Sequence, residues 1–61
     1  MQPPTVREVI RRLEQEGWVL ERQKGGRRIF KRDGVTIPVH GKDGDTLTPG
    51  TYASIRRIAG W

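Results

Sequence analysis

Cysteine is absent from the chain, which excludes disulfides, zinc–thiolate sites and thiol nucleophiles together. Histidine occurs once, at His40, so no second imidazole is available for paired acid–base work. No apolar run approaches the ~18 residues needed to cross a bilayer. Met1 to Thr5 also lack the apolar core of a secretory leader. These absences predict a soluble, cytoplasmic chain with no membrane partner. Length sets a further limit. A chain of 61 residues buries only about 60% of the surface it exposes when unfolded. One domain over residues 1–61 is expected, with one thin core, no deep substrate cavity and no buried cofactor.

Negative charge is also scarce. Seven Asp and Glu stand against twelve Lys and Arg, giving a net charge of +5 and a pI near 10.8. A small basic domain suits a polyanionic partner, nucleic acid before an anionic membrane. The distribution sharpens this expectation. Arg22, Lys24, Arg27, Arg28, Lys31 and Arg32 form a run with no acid inside it, bracketed by Glu21 and Asp33. Arginine outnumbers lysine nine to three, and its planar fork bonds two phosphate oxygens at once.

Two helices and three strands can be read from the remaining pattern. Thr5 and Glu8 have capping-box spacing, and Val6, Val9, Ile10 and Leu13 share one helical face. A helix is expected over residues 6–16, stopped by Gly17. Residues 18–24 read as a strand, with Trp18, Leu20 and Arg22 on one face and Val19, Glu21 and Gln23 on the other. Gly25-Gly26 is a hairpin signal, and residues 28–32 return as a second strand around Ile29 and Phe30. Asp33-Gly34 is the next hairpin signal. Val35, Ile37 and Val39 then alternate with Thr36, Pro38 and His40. Pro38 donates no ladder hydrogen bond, so this third strand lies at an edge or ends there. Residues 40–46 read as loop. Thr48 and Pro49 suit the N-cap and first position of a second helix, with Leu47 and Tyr52 spaced as a hydrophobic staple. Tyr52, Ile55, Ile58 and Ala59 form its expected buried stripe, and Gly60 its end. The result is an α+β fold of order α-β-β-β-α, a three-stranded antiparallel sheet with both helices on one face.

Three groups of residues carry candidate chemistry. In the hairpin from Lys24 to Arg28, two glycines permit close backbone approach to an anion and the flanking cations neutralise phosphate. With Arg22, Lys31 and Arg32, these residues (Lys24, Gly25, Gly26 and Arg28 among them) form the expected RNA-binding set. His40 is of the type that serves as acid or base near neutrality, although a lone histidine also simply closes a strand. Asp43 and Asp45 can approach a cation, but their loop lacks the further ligands of a calcium loop, and no metal site is assigned. Trp18, Phe30 and Tyr52 can stack on bases but fit core faces better; Trp61 either closes the core or stays exposed. No nucleophilic triad, P-loop or dinucleotide fingerprint is present. The element order and basic surface are also those of double-stranded-RNA-binding domains.

Several segments together resemble the HicA toxins of HicA–HicB toxin–antitoxin modules, nearly end to end. They are Thr5 to Ile10, Leu13 to Trp18, Arg22 to Gly25, Ile37-Pro38-Val39-His40-Gly41, Leu47-Thr48-Pro49-Gly50-Thr51, Ser54-Ile55 and Ala59-Gly60. The resemblance implies a double-stranded-RNA-binding-like fold, endonucleolytic cleavage of messenger RNA without the ribosome or a metal, and inhibition by a HicB-like antitoxin. The family's active turn is Gly-Ser-His. Here it reads Gly25-Gly26-Arg27, with Arg27 at the position of the catalytic histidine, and His40 matches a second family histidine outside that turn. Arg56 also departs from a usual leucine. An arginine guanidinium stays protonated and cannot take the 2′-hydroxyl proton. Three readings follow: a silenced toxin, a non-catalytic module that binds RNA or docks to an antitoxin, and a nuclease that works through His40.

Overall fold

Residues 3–61 are described by a computed structural model. The first helix, α1, spans Val6–Gln15, one residue short of the expected end because Glu16 is its C-cap. Its start is fixed by side chains: Thr5 Oγ1 accepts from the Glu8 amide at 3.3 Å, and a Glu8 carboxylate oxygen accepts from the Thr5 amide at 3.4 Å. This reciprocal pairing occupies two amides that the first turn leaves without helical partners. Val6, Val9 and Leu13 are buried and Ile10 is partly buried, as the spacing predicts. After Gly17 the Trp18 amide reaches back to the Leu13 carbonyl at 2.9 Å, which closes the helix and turns the chain into the sheet.

Three strands follow as a meander: β1 over Val19–Lys24, β2 over Arg27–Arg32 and β3 over Val35–His40. Both pairings are antiparallel and β2 is central. Asp33 and Gly34 both have positive φ (52° and 80°), the pattern of a type I′ turn, whose twist matches that of the strands it joins. At the first hairpin Gly25 has φ 59° and Gly26 is not positive, the sign pattern of type II′. β2 begins at Arg27 and β3 reaches His40, so Arg27 and His40 belong to the ladder rather than to a turn and a loop. Pro38 lies in edge strand β3 opposite Ile29, at a position whose nitrogen points away from β2.

Thr48 caps the second helix, α2, over Pro49–Ala59, and left-handed Gly60 ends it. Ile55 and Ala59 face the core and Tyr52 packs at its edge. Ile58, expected in the buried stripe, is 42% exposed; α2 packs mainly on β3, and the contact reaches only a narrow stripe. The core joins Val6, Val9 and Leu13 of α1 to Trp18, Phe30, Ile37, Val39, Leu47, Ile55 and Ala59. Phe30, Ile37 and Val39 all project from one face of the sheet, so both helices cover that face. Trp61 closes the assembly: its indole N–H donates to Glu16 at 2.8 Å, and the Arg12 guanidinium lies 4.1 Å from its ring centroid.

Candidate functional site

The uncovered face of the sheet is where most of the candidate residues come together. Directly paired strand residues share a face. The pairs Lys24↔Arg27 and Arg22↔Ile29 on one side of β2, and Arg27↔His40, Ile29↔Pro38 and Lys31↔Thr36 on the other, therefore all lie opposite the helices. Arg22 belongs to this face and not, as simple alternation predicts, to that of Leu20. The register slips between Leu20 and Arg22, and the extra residue, Glu21, forms a β-bulge that lets Leu20 cover Phe30 while Arg22 turns outward.

The open face is basic. Arg22, Lys24 and Arg27, with Ile29 at the base, line a concavity of about 290 Å³. None of the three cations forms an ion pair among the described residues, and all three are exposed. Lys31 is partly neutralised, its ammonium 3.5 Å from the Glu21 carboxylate. His40 is exposed at the end of β3, beside Arg27.

Two cations of the predicted binding set point the other way. Arg28 lies on the helix side and donates to Asp43 at 2.6 Å, fastening the loop after β3 to the sheet. Arg32 donates to the Glu16 carbonyl at 2.8 Å and stacks over Trp18 with its guanidinium carbon 4.6 Å from the ring centroid. It thus occupies one of the orphan carbonyls at the end of α1. The six-cation run therefore divides by face, which a charge count alone does not reveal.

The other candidates are placed in structural roles. Trp18 and Phe30 are buried and Tyr52 is partly buried. Asp43 is engaged by Arg28, and Asp45 accepts from the Lys42 amide at 2.9 Å. Among the described residues no three His, Asp or Glu side chains gather as metal ligands, and no helix is long and apolar enough to cross a membrane. The Glu16 carboxylate at the end of α1 sits among hydrogen-bond donors and cations. The Trp61 indole N–H first, then Arg12 and Arg32, hold its carboxyl below the ordinary value despite some desolvation. This belongs to the helix end and not to the open face.

Sequence reasoning missed the adjacency of Arg27 and His40, although the signal was present. A two-residue turn at Asp33-Gly34 pairs Arg32 with Val35, and five steps back along the ladder Arg27 meets His40. A family model described as the HicA toxin of bacterial toxin–antitoxin systems matches residues 6–61. No match was found among curated proteins.

Proposed function

The chain belongs to the HicA toxin family of bacterial toxin–antitoxin systems, and from that premise we propose that it is an RNA-binding toxin whose open sheet face engages messenger RNA. The observation that carries this reading is the grouping of Arg22, Lys24 and Arg27 around one concavity with no acid in its lining. Three exposed cations on an uncovered sheet face suit a phosphodiester backbone, and each contacted phosphate releases condensed counterions. An antitoxin of the HicB type is the protein partner this function requires, and the cytoplasm is where both messenger RNA and antitoxin are met.

Cleavage is the family activity the resemblance implies. Its histidine position is filled by Arg27, so binding is the part of the function best supported by the residues themselves. The same substitution favours a second reading, a non-catalytic module that holds RNA or antitoxin without cutting. Titration of a labelled single-stranded RNA at several salt concentrations tests the first reading. The expected affinity falls linearly on a log–log plot against salt. An affinity independent of salt, or no binding at low salt, refutes it.

A further inference from the structure

The row of the sheet nearest the glycine turn reads Lys24, Arg27, His40 across the three strands. The Gly41 amide donates to the Gly26 carbonyl at 2.9 Å, one step beyond the Arg27↔His40 pair on each strand. The pair's own amides therefore point away from each other. In pairs of this kind the side chains stand closest, with Cβ atoms about 4.5–5.5 Å apart. Both residues are exposed and both lie on the open face.

We propose that Arg27 and His40 act together as an RNA-cleaving pair, with His40 as the base and Arg27 as the phosphate clamp. The proposal rests on the RNA-binding reading above. With a phosphodiester held over the row, an unprotonated imidazole nitrogen of His40 takes the proton of the ribose 2′-hydroxyl. The 2′ oxygen bonds to phosphorus and the bond from phosphorus to the 5′ oxygen breaks. Arg27, with Lys24 beside it, stabilises the charge that develops on the non-bridging oxygens. The departing 5′ oxygen takes a proton from solvent, and the imidazolium returns its own proton to solvent. The products are a 2′,3′-cyclic phosphate and a 5′-hydroxyl, with nothing oxidised or reduced. Arg27 need not act as a base in this scheme, and its permanent charge becomes an advantage.

The test uses the full chain, a single-stranded RNA oligonucleotide and its 2′-deoxy counterpart. The parent is expected to bind both and cleave only the RNA, leaving cyclic phosphate ends. His40→Gln and His40→Ala should lower the cleavage rate by about 10²–10⁴-fold, while circular dichroism and binding of the deoxy strand are retained. A His40→Gln protein that cleaves as fast as the parent overturns the pair, as does a parent that binds RNA and leaves it intact; RNA binding survives both results. A parent that binds neither strand removes the RNA reading and the pair with it.

Discussion

Arg32→Ala should weaken the fold and spare nucleic-acid binding, and Arg22→Ala should do the reverse. The two residues lie in one cationic run yet face opposite sides of the sheet. Arg32 loses two interactions on truncation: its stack over Trp18, a residue only 3% exposed, and its hydrogen bond to the Glu16 carbonyl. A partly shielded cation–π contact contributes about 1 kcal/mol and a hydrogen bond from a charged donor about 1.5 kcal/mol. The expected cost is about 2.5 kcal/mol, a large share of the roughly 3–9 kcal/mol available to a domain of this size. In so small a domain each kcal/mol shifts Tm by up to about 8 °C, so a fall of about 15–20 °C is expected.

Arg22, Lys24 and Arg27 have no protein partners to lose among the described residues. Their truncation should leave Tm within a few degrees, since exposed substitutions rarely exceed about 0.5 kcal/mol. Each should instead lower the salt slope of single-strand RNA binding by about 0.7, and the triple variant by about 2. Thermal unfolding followed at 222 nm and fluorescence anisotropy across a salt series measure the two effects independently. The division of the run by face is wrong if Arg22→Ala lowers Tm as much as Arg32→Ala does. It is equally wrong if Arg32→Ala flattens the salt slope while the three open-face variants leave it unchanged.

Arg27→His replaces the permanent charge of the clamp with an imidazole opposite His40. Cleavage by the variant should fall below that of the parent at matched folding, because the non-bridging oxygens lose their guanidinium; an equal or faster rate would count against the clamp and favour a base at the position the family resemblance assigns to catalysis. Acid should loosen the clasp between α1 and the C-terminus. The Glu16 carboxyl is depressed, first by the Trp61 indole N–H and then by Arg12 and Arg32. Its contribution is therefore complete above its ordinary value of 4.5 and is lost as pH falls through the lower folded-state value. Melting curves between neutral pH and pH 3 should show a steeper acid loss for the parent than for Glu16→Gln, and parallel curves would refute the linkage. Thr5→Ala removes the N-cap of α1 and should cost about 1 kcal/mol, read as a lower urea midpoint at constant m-value.

What was legible in the sequence was what local chemistry decides. Thr5 and Glu8 signal a helix start because each can satisfy the other's amide. Asp33-Gly34 signals a hairpin because both positions need positive φ, and Thr48-Pro49 signals a second start because proline has no amide to leave unpaired. Ile58 was misread because periodicity gives the apolar stripe of a helix but not the width of the surface it meets. The helix-side placement of Arg28 and Arg32 was not legible for a related reason. Charge can be counted along the chain, but their partners, Asp43, Trp18 and the Glu16 carbonyl, are supplied by segments distant in sequence. Arg28 has its counter-charge in a loop beyond β3. Arg32 has its aromatic and its carbonyl at the junction of α1 and β1.

The bulge at Glu21 follows from two rules that conflict. Counting back from the Gly25-Gly26 turn, Lys24 pairs with Arg27, Gln23 with Arg28 and Arg22 with Ile29; a regular ladder would next set Glu21 against Phe30. Phe30 is 1% exposed and faces the helices, so that register would bring a carboxylate to the core face without an established partner, at a cost of several kcal/mol. The apolar pattern calls for Leu20 at that place instead. Moving the whole strand by one residue would satisfy Leu20 but turn Arg22 and Lys24 toward the helices. One extra residue resolves the conflict. Glu21 is left unpaired in the ladder, Leu20 meets Phe30, and Lys31 takes up the displaced carboxylate at 3.5 Å. Alternation alone cannot locate such a residue, because each half of β1 alternates correctly by itself. The turn fixes the face of one half, the core fixes the face of the other, and the basic character of the open face depends on the mismatch between them.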